Sequence, residues 1–491
     1  MGGLAERLTP RDLAFLIEEQ PTAPRHNATV EIFEAPDGGA FDYDQLVALI
    51  ADRIAFVPRY RQRVQWVPGR LANPMWVDDP GFDLEYHVRR SALPRPGDAA
   101  QLRDLVARIV SRPLDRQRPL WEIYLVEGLE GGRVAILTKA HNALVDGVHT
   151  VDLGQLLLDV TPAQKPVDDD DVWNPQRRPT AAGLVLGAVR DSLSDPATVV
   201  ATARGVGATA GHRARRTSRK VLRSAEAVLG TQERPTPVSG RLSQQRRFAT
   251  VDATLADLRT IRAAHGGTIN DVVLAVVAGG LRGWLMARAE SLAGLRRIRA
   301  VVPISVIDEN EEATSLGSQI AAHFVDLPVG EASPVVRLHQ VSYSFETHRA
   351  TGRGVAASRL TGIAGFAPTT FHAVGSRVAA SQPHRSFQIS VTNVPGPQSP
   401  RYAAGARMVA SYPVHPLLPG HPLAIGVTSY DGRVFFGITA DRDLVPDADI
   451  LGQCVAEALD ELVDTATGAR PRAPRGRRRA TPDITGKADR A

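Results

Sequence analysis

Two short apolar runs, 122–126 and 133–138, flank the turn Gly128-Leu129-Glu130-Gly131-Gly132, and the second leads straight into Lys139-Ala140-His141-Asn142-Ala143-Leu144-Val145-Asp146-Gly147. Runs of this length and composition around a glycine-rich turn predict a pair of strands. His141 and Asn142 then stand at a strand end, and Asp146-Gly147 turns the chain into a helix expected at 150–158. Successive strand residues point to opposite sides. The polar side chains at 141 and 142 therefore face different surroundings, and neither can easily replace the other.

The same kind of patterning extends over the rest of the chain. Leu46, Leu49, Ile50 and Ile54 share a helical face that must end before Pro58, and Leu102, Leu105, Val106, Ile109 and Val110 share another. Residues 162–179 break the pattern with four consecutive acids, Asp168 to Asp171, between Pro166 and Pro175. Residues 181–230 are rich in Ala, Val, Gly and Arg and predict helical pieces split at Pro196, and Pro235 and Pro237 mark the entry to a second α/β part. There Ile269-Asn270-Asp271 opens a long apolar helix through Met286, with strands expected at 298–304 and 387–391. Asp431-Gly432 between the alternating runs 424–430 and 433–438 is a strong hairpin signal. The expected organisation is an N-terminal domain at 1–165, a linker and basic helical segment at 166–240, a second domain at 241–466 and a disordered basic tail at 467–491.

At 491 residues the chain is too long for one ordinary domain, and its 43% hydrophobic and 23% charged content suits soluble, well-packed cores. The single cysteine, Cys454, excludes an internal disulfide and is expected to be an inert residue on a packed helix face. No apolar leader opens the sequence, and the apolar run 272–281 stops at Arg282, so neither secretion nor a membrane span is expected. The net charge of +5 is concentrated in two places: 470–491 holds eight basic and two acidic residues, and 201–223 holds seven basic residues and no acid. The remainder is net acidic. Basic segments of this kind suit an anionic surface. The sequence has no GxxxxGK[ST] phosphate cradle, no His/Cys/acid cluster with metal spacing and no GxSxG elbow. A metal, a covalent Ser or Cys nucleophile and a nucleic-acid partner are therefore not expected.

The segment from His141 to Gly147 resembles the HHxxxDG signature of acyltransferases that carry acyl groups from a thioester to an alcohol or amine. The likeness extends to the bacterial wax ester synthase/diacylglycerol acyltransferase family, through blocks in the family's order from about Leu8 to about Asp464. These include Leu8-Thr9-Pro10-Arg11-Asp12, Trp76-Val77-Asp78-Asp79-Pro80, Pro113-Leu114-Asp115-Arg116, Asn270-Asp271-Val272-Val273, Asn393-Val394-Pro395-Gly396-Pro397 and Asp441-Arg442-Asp443. Three positions depart from the family pattern: Asn142 stands at the second His, Ser318 follows Leu316-Gly317 in place of Asn, and Ala424 replaces a polar Asn.

The resemblance implies an α/β fold of two chloramphenicol acetyltransferase-like domains, each a mixed sheet flanked by helices, with a tunnel between them. It implies direct transfer of a long-chain acyl group from acyl-CoA, a substrate and not a cofactor, to diacylglycerol or a long-chain alcohol. In the family the second His is the general base, worth ~100- to 10,000-fold in rate. Asn142 cannot take a proton, although its amide can hold an alcohol or oxyanion. His141 is then a structural histidine and Asn142 faces the substrate, bordering the tunnel, while Asp146 with Gly147 shapes the loop. Pro119, Leu120 and Trp121 would line an acyl channel, Asn270 and Asp271 would support the site from the second domain, and Asn393 would form a wall of it. Plain packing explains Trp121 equally, and helix initiation explains Asn270-Asp271. The resemblance places the protein in the cytoplasm, peripherally attached to an anionic membrane surface or lipid inclusion. Two alternatives stand beside this reading: a catalytically silent relative that binds acyl lipids, and an acyltransferase for a different nucleophile.

Overall fold

A computed structural model describes residues 6–35, 41–70, 72–144, 153–163, 238–292, 295–305, 320–349, 368–382 and 387–469, with 175, 180 and 183 as single positions. Two six-stranded mixed sheets organise it. In the first half the strands are β1 (His26–Glu34), the short pair β2 (Gln62–Gln65) and β3 (Met75–Asp78), then β4 (Val88–Ala92), β5 (Trp121–Glu127) and β6 (Val134–His141). In the second half they are β7 (Arg246–Thr254), β8 (Ile298–Ser305), β9 (Ile320–Leu327), β10 (Ile389–Val394), β11 (Tyr402–Ala403), β12 (Ala406–Val414), β13 (Leu423–Tyr430) and β14 (Arg433–Asp441). The sheet orders are β11-β12-β1-β6-β5-β4 and β7-β14-β13-β10-β8-β9.

The strand pair that precedes His141 forms as the sequence predicts, with β5 antiparallel to β6. So does the hairpin: Asp431 and Gly432 both have positive φ, 45° and 77°, between β13 and β14. That is the primed turn whose twist matches its flanking strands. The expected domain ranges need one correction. Residues 402–414, assigned to the second domain, supply β11 and β12 to the first sheet, where β12 pairs antiparallel with β1 from Ala28↔Val414 to Glu34↔Arg407. The physical reason is that β1 is buried along most of its length and a buried strand must pair on both edges.

Local signals set the helices. α1 (Pro10–Glu18) is capped by Thr9, and α2 (Tyr43–Arg53) opens on an Asp42–Gln45 capping box and buries Leu46, Leu49 and Ile50. α3 (Leu84–His87) is a single turn, α4 (Ala99–Val110) repeats the box with Asp98 and Gln101, and α5 (Leu153–Leu157) falls inside the helix expected after the turn. α6 (Leu255–His265) is capped by Thr254. α7 (Ile269–Ala287) is the expected apolar helix; its 19 residues are long and apolar enough, by length and composition, to cross a membrane. It is instead the core of the second unit, with Val272 to Ala278 all at 0% exposure. α8 (Pro334–Arg349), α9 (Pro368–Ala380) and α10 (Ala448–Thr467) complete the set, and Cys454 is buried on α10. The basic segment at 201–223, most of the linker, Ser318 and the tail from 470 lie outside the described residues.

α7 lies tightly on α10. A Cβ placed at Gly280 would sit 2.4 Å from Val455 Cγ2 and 2.8 Å from Val455 Cα, so the backbone itself would have to move. Gly280→Ala should therefore destabilise the protein by about 1–3 kcal/mol through overpacking, despite the better helix propensity of Ala. Denaturant melts compare the two; an unchanged or raised midpoint would show that the helices are not packed this closely.

Candidate active site

β6 delivers its last residues to the junction between the two units. Register places His26 opposite His141 and Asn27 opposite Ala140. The chain turns immediately after, with Asn142 N–H donating to the Arg25 carbonyl at 2.8 Å and Leu144 N–H to the His141 carbonyl at 2.9 Å. Lys139, buried at 1% exposure, is held by Glu122 at 3.3 Å and the Arg112 carbonyl at 2.7 Å, a structural role.

His141 and Asn142 do point to different surroundings. His141 Nδ1 accepts the Ala143 N–H at 3.0 Å, which puts the ring proton on Nε2, 3.7 Å from Glu19 Oε2. Burial alone would raise the Glu19 carboxyl. The His141 ring, the Arg25 N–H at 2.9 Å and Arg116 outweigh it and hold Glu19 well below the usual carboxylate range. His141 is thus oriented by its own backbone on one side and by a buried carboxylate on the other.

Asn142 faces the second unit. Its Oδ1 accepts from Asn27 Nδ2, and its Nδ2 donates to Ser376 Oγ at 3.4 Å. Asn27 Nδ2 also donates to Ser376 Oγ, at 2.9 Å. Arg377 Nη1 donates to the Asn142 carbonyl at 2.9 Å while its Nη2 pairs with Asp12 at 2.6 Å. Helix α9 therefore closes over the end of β6 with two consecutive residues, Ser376 and Arg377. Asn142 is 0% exposed. The expectation that it borders an open tunnel is corrected on this point: the side chain is fully buried, and Asn27, Ser376 and Arg377 hold its carboxamide and carbonyl.

The other expected site residues separate into groups. Leu120 and Trp121 are 0% exposed. The Trp121 indole donates to the Tyr60 carbonyl at 2.7 Å and stacks on His87 at 4.6 Å, and Pro119 is buried beside it. These side chains are core and not a channel wall. Asp271 closes a capping box on Thr268 and accepts from Ser342 at 3.1 Å, and is 0% exposed. Asn393 Nδ2 donates to Asn270 Oδ1 at 3.2 Å, so these two expected residues do meet. They do so on the α7 face of the second sheet. Thr392, one residue earlier, faces α9 through His372 at 3.0 Å, and alternation along β10 puts Asn393 on the other side. Asp146 and Gly147 lie outside the described residues. Asn27, Ser376 and Arg377, which grip Asn142, were not among the residues singled out. No catalytic or binding motif marks Asn27, and Ser376-Arg377 sit in an unremarkable Ala/Val helix.

Comparison with known proteins matches this architecture. The family model described as the wax ester synthase/diacylglycerol acyltransferase catalytic domain matches residues 8–273, and that for the WS/DGAT C-terminal domain matches 316–463. The chain belongs to the wax ester synthase/diacylglycerol acyltransferase family. Among relatives, the probable diacylglycerol O-acyltransferase tgs1 of Mycobacterium tuberculosis H37Rv is 31% identical over 459 residues, 93% of this chain and 95% of that protein. The probable diacylglycerol O-acyltransferase tgs3 of the same strain is 40% identical over 266 residues, 53% of this chain and 97% of that protein. The wax ester synthase/diacylglycerol acyltransferase from Marinobacter aquaeolei VT8 superposes with a TM-score of 0.66 at 26% identity, covering 94% of this chain and 100% of that one. The first condensation domain of the calcium-dependent antibiotic synthetase, in complex with a substrate analogue, shares the fold, with a TM-score of 0.52 at 16% identity over 95% of this chain and 98% of that one. Two mixed sheets flanked by helices are the fold of this family member, as the sequence implied.

Three histidines around this junction, and His87 in the first unit, are buried neutral. Burial pushes His415 down to about 3 and His87 to about 4, and drives His26 and His372 well below the ordinary imidazole value. Unfolding returns each to about 6.5, so the unfolded chain binds more protons below that pH. Stability is therefore full above about pH 6.5 and falls as the pH drops toward about 4. Thermal melts at about pH 7.5 and about pH 5 should show the lower melting temperature at the acidic value; equal melting temperatures would contradict the buried neutral state.

Proposed function

We propose that this chain is an acyl-CoA-dependent O-acyltransferase that moves a long-chain acyl group to diacylglycerol or a long-chain alcohol, giving triacylglycerol or wax ester. The reading rests on one observation: family matches in both halves of the chain, the first spanning the HNALVDG segment. The acceptor oxygen attacks the thioester carbonyl, a C–O bond forms as the C–S bond breaks, and the hydroxyl proton ends on the CoA thiol. The chain has no imidazole at position 142 to carry that proton. Holding donor and acceptor together is what remains to it, and good positioning alone is a large contribution.

Adding the base should therefore raise the rate. Asn142→His should accelerate transfer from radiolabelled acyl-CoA to diacylglycerol or hexadecanol by a large part of the ~100- to 10,000-fold a general base supplies. Because Asn142 is packed against Asn27, the variant is also made with Asn27→Ala, which gives the ring room. If the parent chain is already as fast as its His versions, position 142 is not where the base acts, and His141→Ala becomes the deciding variant. The full burial of Asn142 favours one second reading, a silent relative that binds acyl lipids. Saturable acyl-CoA binding without turnover in the parent and in both His versions would select it.

The acceptors live in bilayers or droplets, so the enzyme works in the cytoplasm docked on such a surface. The seven basic residues of 201–223, beside Val206, Val221 and Leu222, suit an anionic interface. Each basic residue near it contributes about 1 kcal/mol, screened by salt. Binding to anionic vesicles should fall at high salt and when Arg213, Arg215, Arg216, Arg219 and Lys220 become Gln. Co-sedimentation reads this, and equal binding to neutral vesicles would rule out the electrostatic account.

A further inference from the structure

A cavity of about 10 Å³ lies where the two sheets meet, its walls including Pro24, His26, Val110, Arg246, His415 and Thr439. His26 Nδ1, His415 Nδ1 and Thr439 Oγ1 have no hydrogen-bond partner among the described residues. These residues are 4%, 4% and 1% exposed. Three such groups around one cavity call for a common partner, because buried polar atoms are rarely left unpaired.

The hydrogen-bond pattern defines that partner. His26 Nε2 lies 3.0 Å from the Val110 carbonyl and so carries the ring proton, which makes Nδ1 an acceptor that needs a donor. His415 Nε2 meets the Thr392 hydroxyl and lies 3.1 Å from His372 Nδ1, which is itself 3.0 Å from Thr392 Oγ1. The Thr392 hydroxyl can donate to one ring and accept from the other. His415 Nδ1 is therefore an acceptor if its Nε2 donates, and a donor if its Nε2 accepts. The partner must give a proton to His26, deal with His415 in either tautomer, and bond a hydroxyl.

Charge and size narrow the choice further. Arg246 stands in the wall with Asp441 at 3.6 Å, and its guanidinium is spent on the carbonyls of Thr22, Ser243 and Gln245. Its positive charge opposes a cation, and the His26 lone pair opposes an anion. The free space is about what one water needs.

We infer that this cavity binds one water molecule, held by His26, His415 and Thr439. It completes a buried chain, His26–water–His415–Thr392–His372, that crosses from the first sheet to the second. The chain starts on β1, next to Asn27. It ends on α9 at His372, four residues before Ser376 and so on the same helical face. The water thus ties together the strand and the helix that grip Asn142.

The test combines a high-resolution crystal structure with ring ¹⁵N spectra of the full chain and of Thr439→Val, a change of nearly equal volume. A solvent peak within about 2.7–3.2 Å of all three atoms is expected, with His26 protonated on Nε2 alone. Thr439→Val should shift the His26 and His415 ring signals and leave that of His87 in place. An empty cavity, an anomalous peak marking a metal ion, a proton on His26 Nδ1, or unchanged ring signals in Thr439→Val would each overturn the inference. If Thr439→Val does not fold, the crystal structure and the wild-type spectra decide alone.

Discussion

The pairing of β12 with β1 is the contact on which the junction between the two sheets depends. β12 lies between the short β11 and β1 in the first sheet and ends at Val414, and the chain has entered the second sheet as β13 by Leu423. The backbone at that crossing is pressed against the second sheet. A Cβ at Gly437 would lie 1.9 Å from the Pro413 carbonyl oxygen, and one at Gly426 would lie 2.6 Å from the His415 ring. No side chain fits between, so two glycines of the central hairpin are what allow the sheets to approach. Everything gathered around Asn142 and the small cavity follows from that approach.

The grip on Asn142 shows what the approach is used for. A carboxamide has one acceptor and two donors, and here the acceptor is taken by Asn27 and a donor goes to Ser376. The backbone carbonyl is held as well, by an arginine whose other arm is paired with buried Asp12. In a low-dielectric interface a polar group without partners is costly, so a polar contact between units is favourable only when nearly complete. Breaking the Arg377–Asp12 pair would leave the aspartate charge buried and unpaired, which is a larger loss than the pair's own attraction. The site is therefore held by several interlocking contacts rather than by one strong one.

Much of the scaffold was legible in the sequence because it is specified locally. The β5–β6 pair, the Asp431-Gly432 hairpin, the helix from Ile269 and the amphipathic helices before Pro58 and after Pro96 each carry their own periodicity, caps or turn residues. What was not legible is long-range. Nothing near Ala406–Val414 says that this strand belongs to the other half of the chain, since its partner lies almost four hundred residues earlier. The site divides the same way. The strand-end placement of His141 and Asn142 follows from local pattern. Asn27, Ser376 and Arg377 become neighbours of Asn142 only through the fold. Trp121, Asn270 and Asp271 were read as site residues through family likeness; the structure spends Trp121 on core packing and Asp271 on helix capping, the plainer roles their residue types also suit, while Asn270 accepts from Asn393.

His141 survives at the motif, yet its position on the strand works against its use as the missing base. A one-residue offset on a strand reverses the side chain's direction, and with it every neighbour. His141 meets the backbone of Ala143 through Nδ1 and faces Glu19 through Nε2, while Asn142 meets the second unit. To accept a proton from a substrate on the Asn142 side, the ring would have to leave both partners. It would also have to turn through the plane of a sheet whose next strand, β1, is paired at that very residue, His26↔His141. The buried Glu19 would then lose one of the groups that keep it ionised. Rotamer change in a packed interior is limited by the surrounding atoms, and here it would also take one partner from a buried carboxylate, leaving it to Arg116 and the Arg25 N–H. The histidine that remains is thus committed to holding the strand end, and the neighbouring position holds an amide, which cannot take a proton in its place.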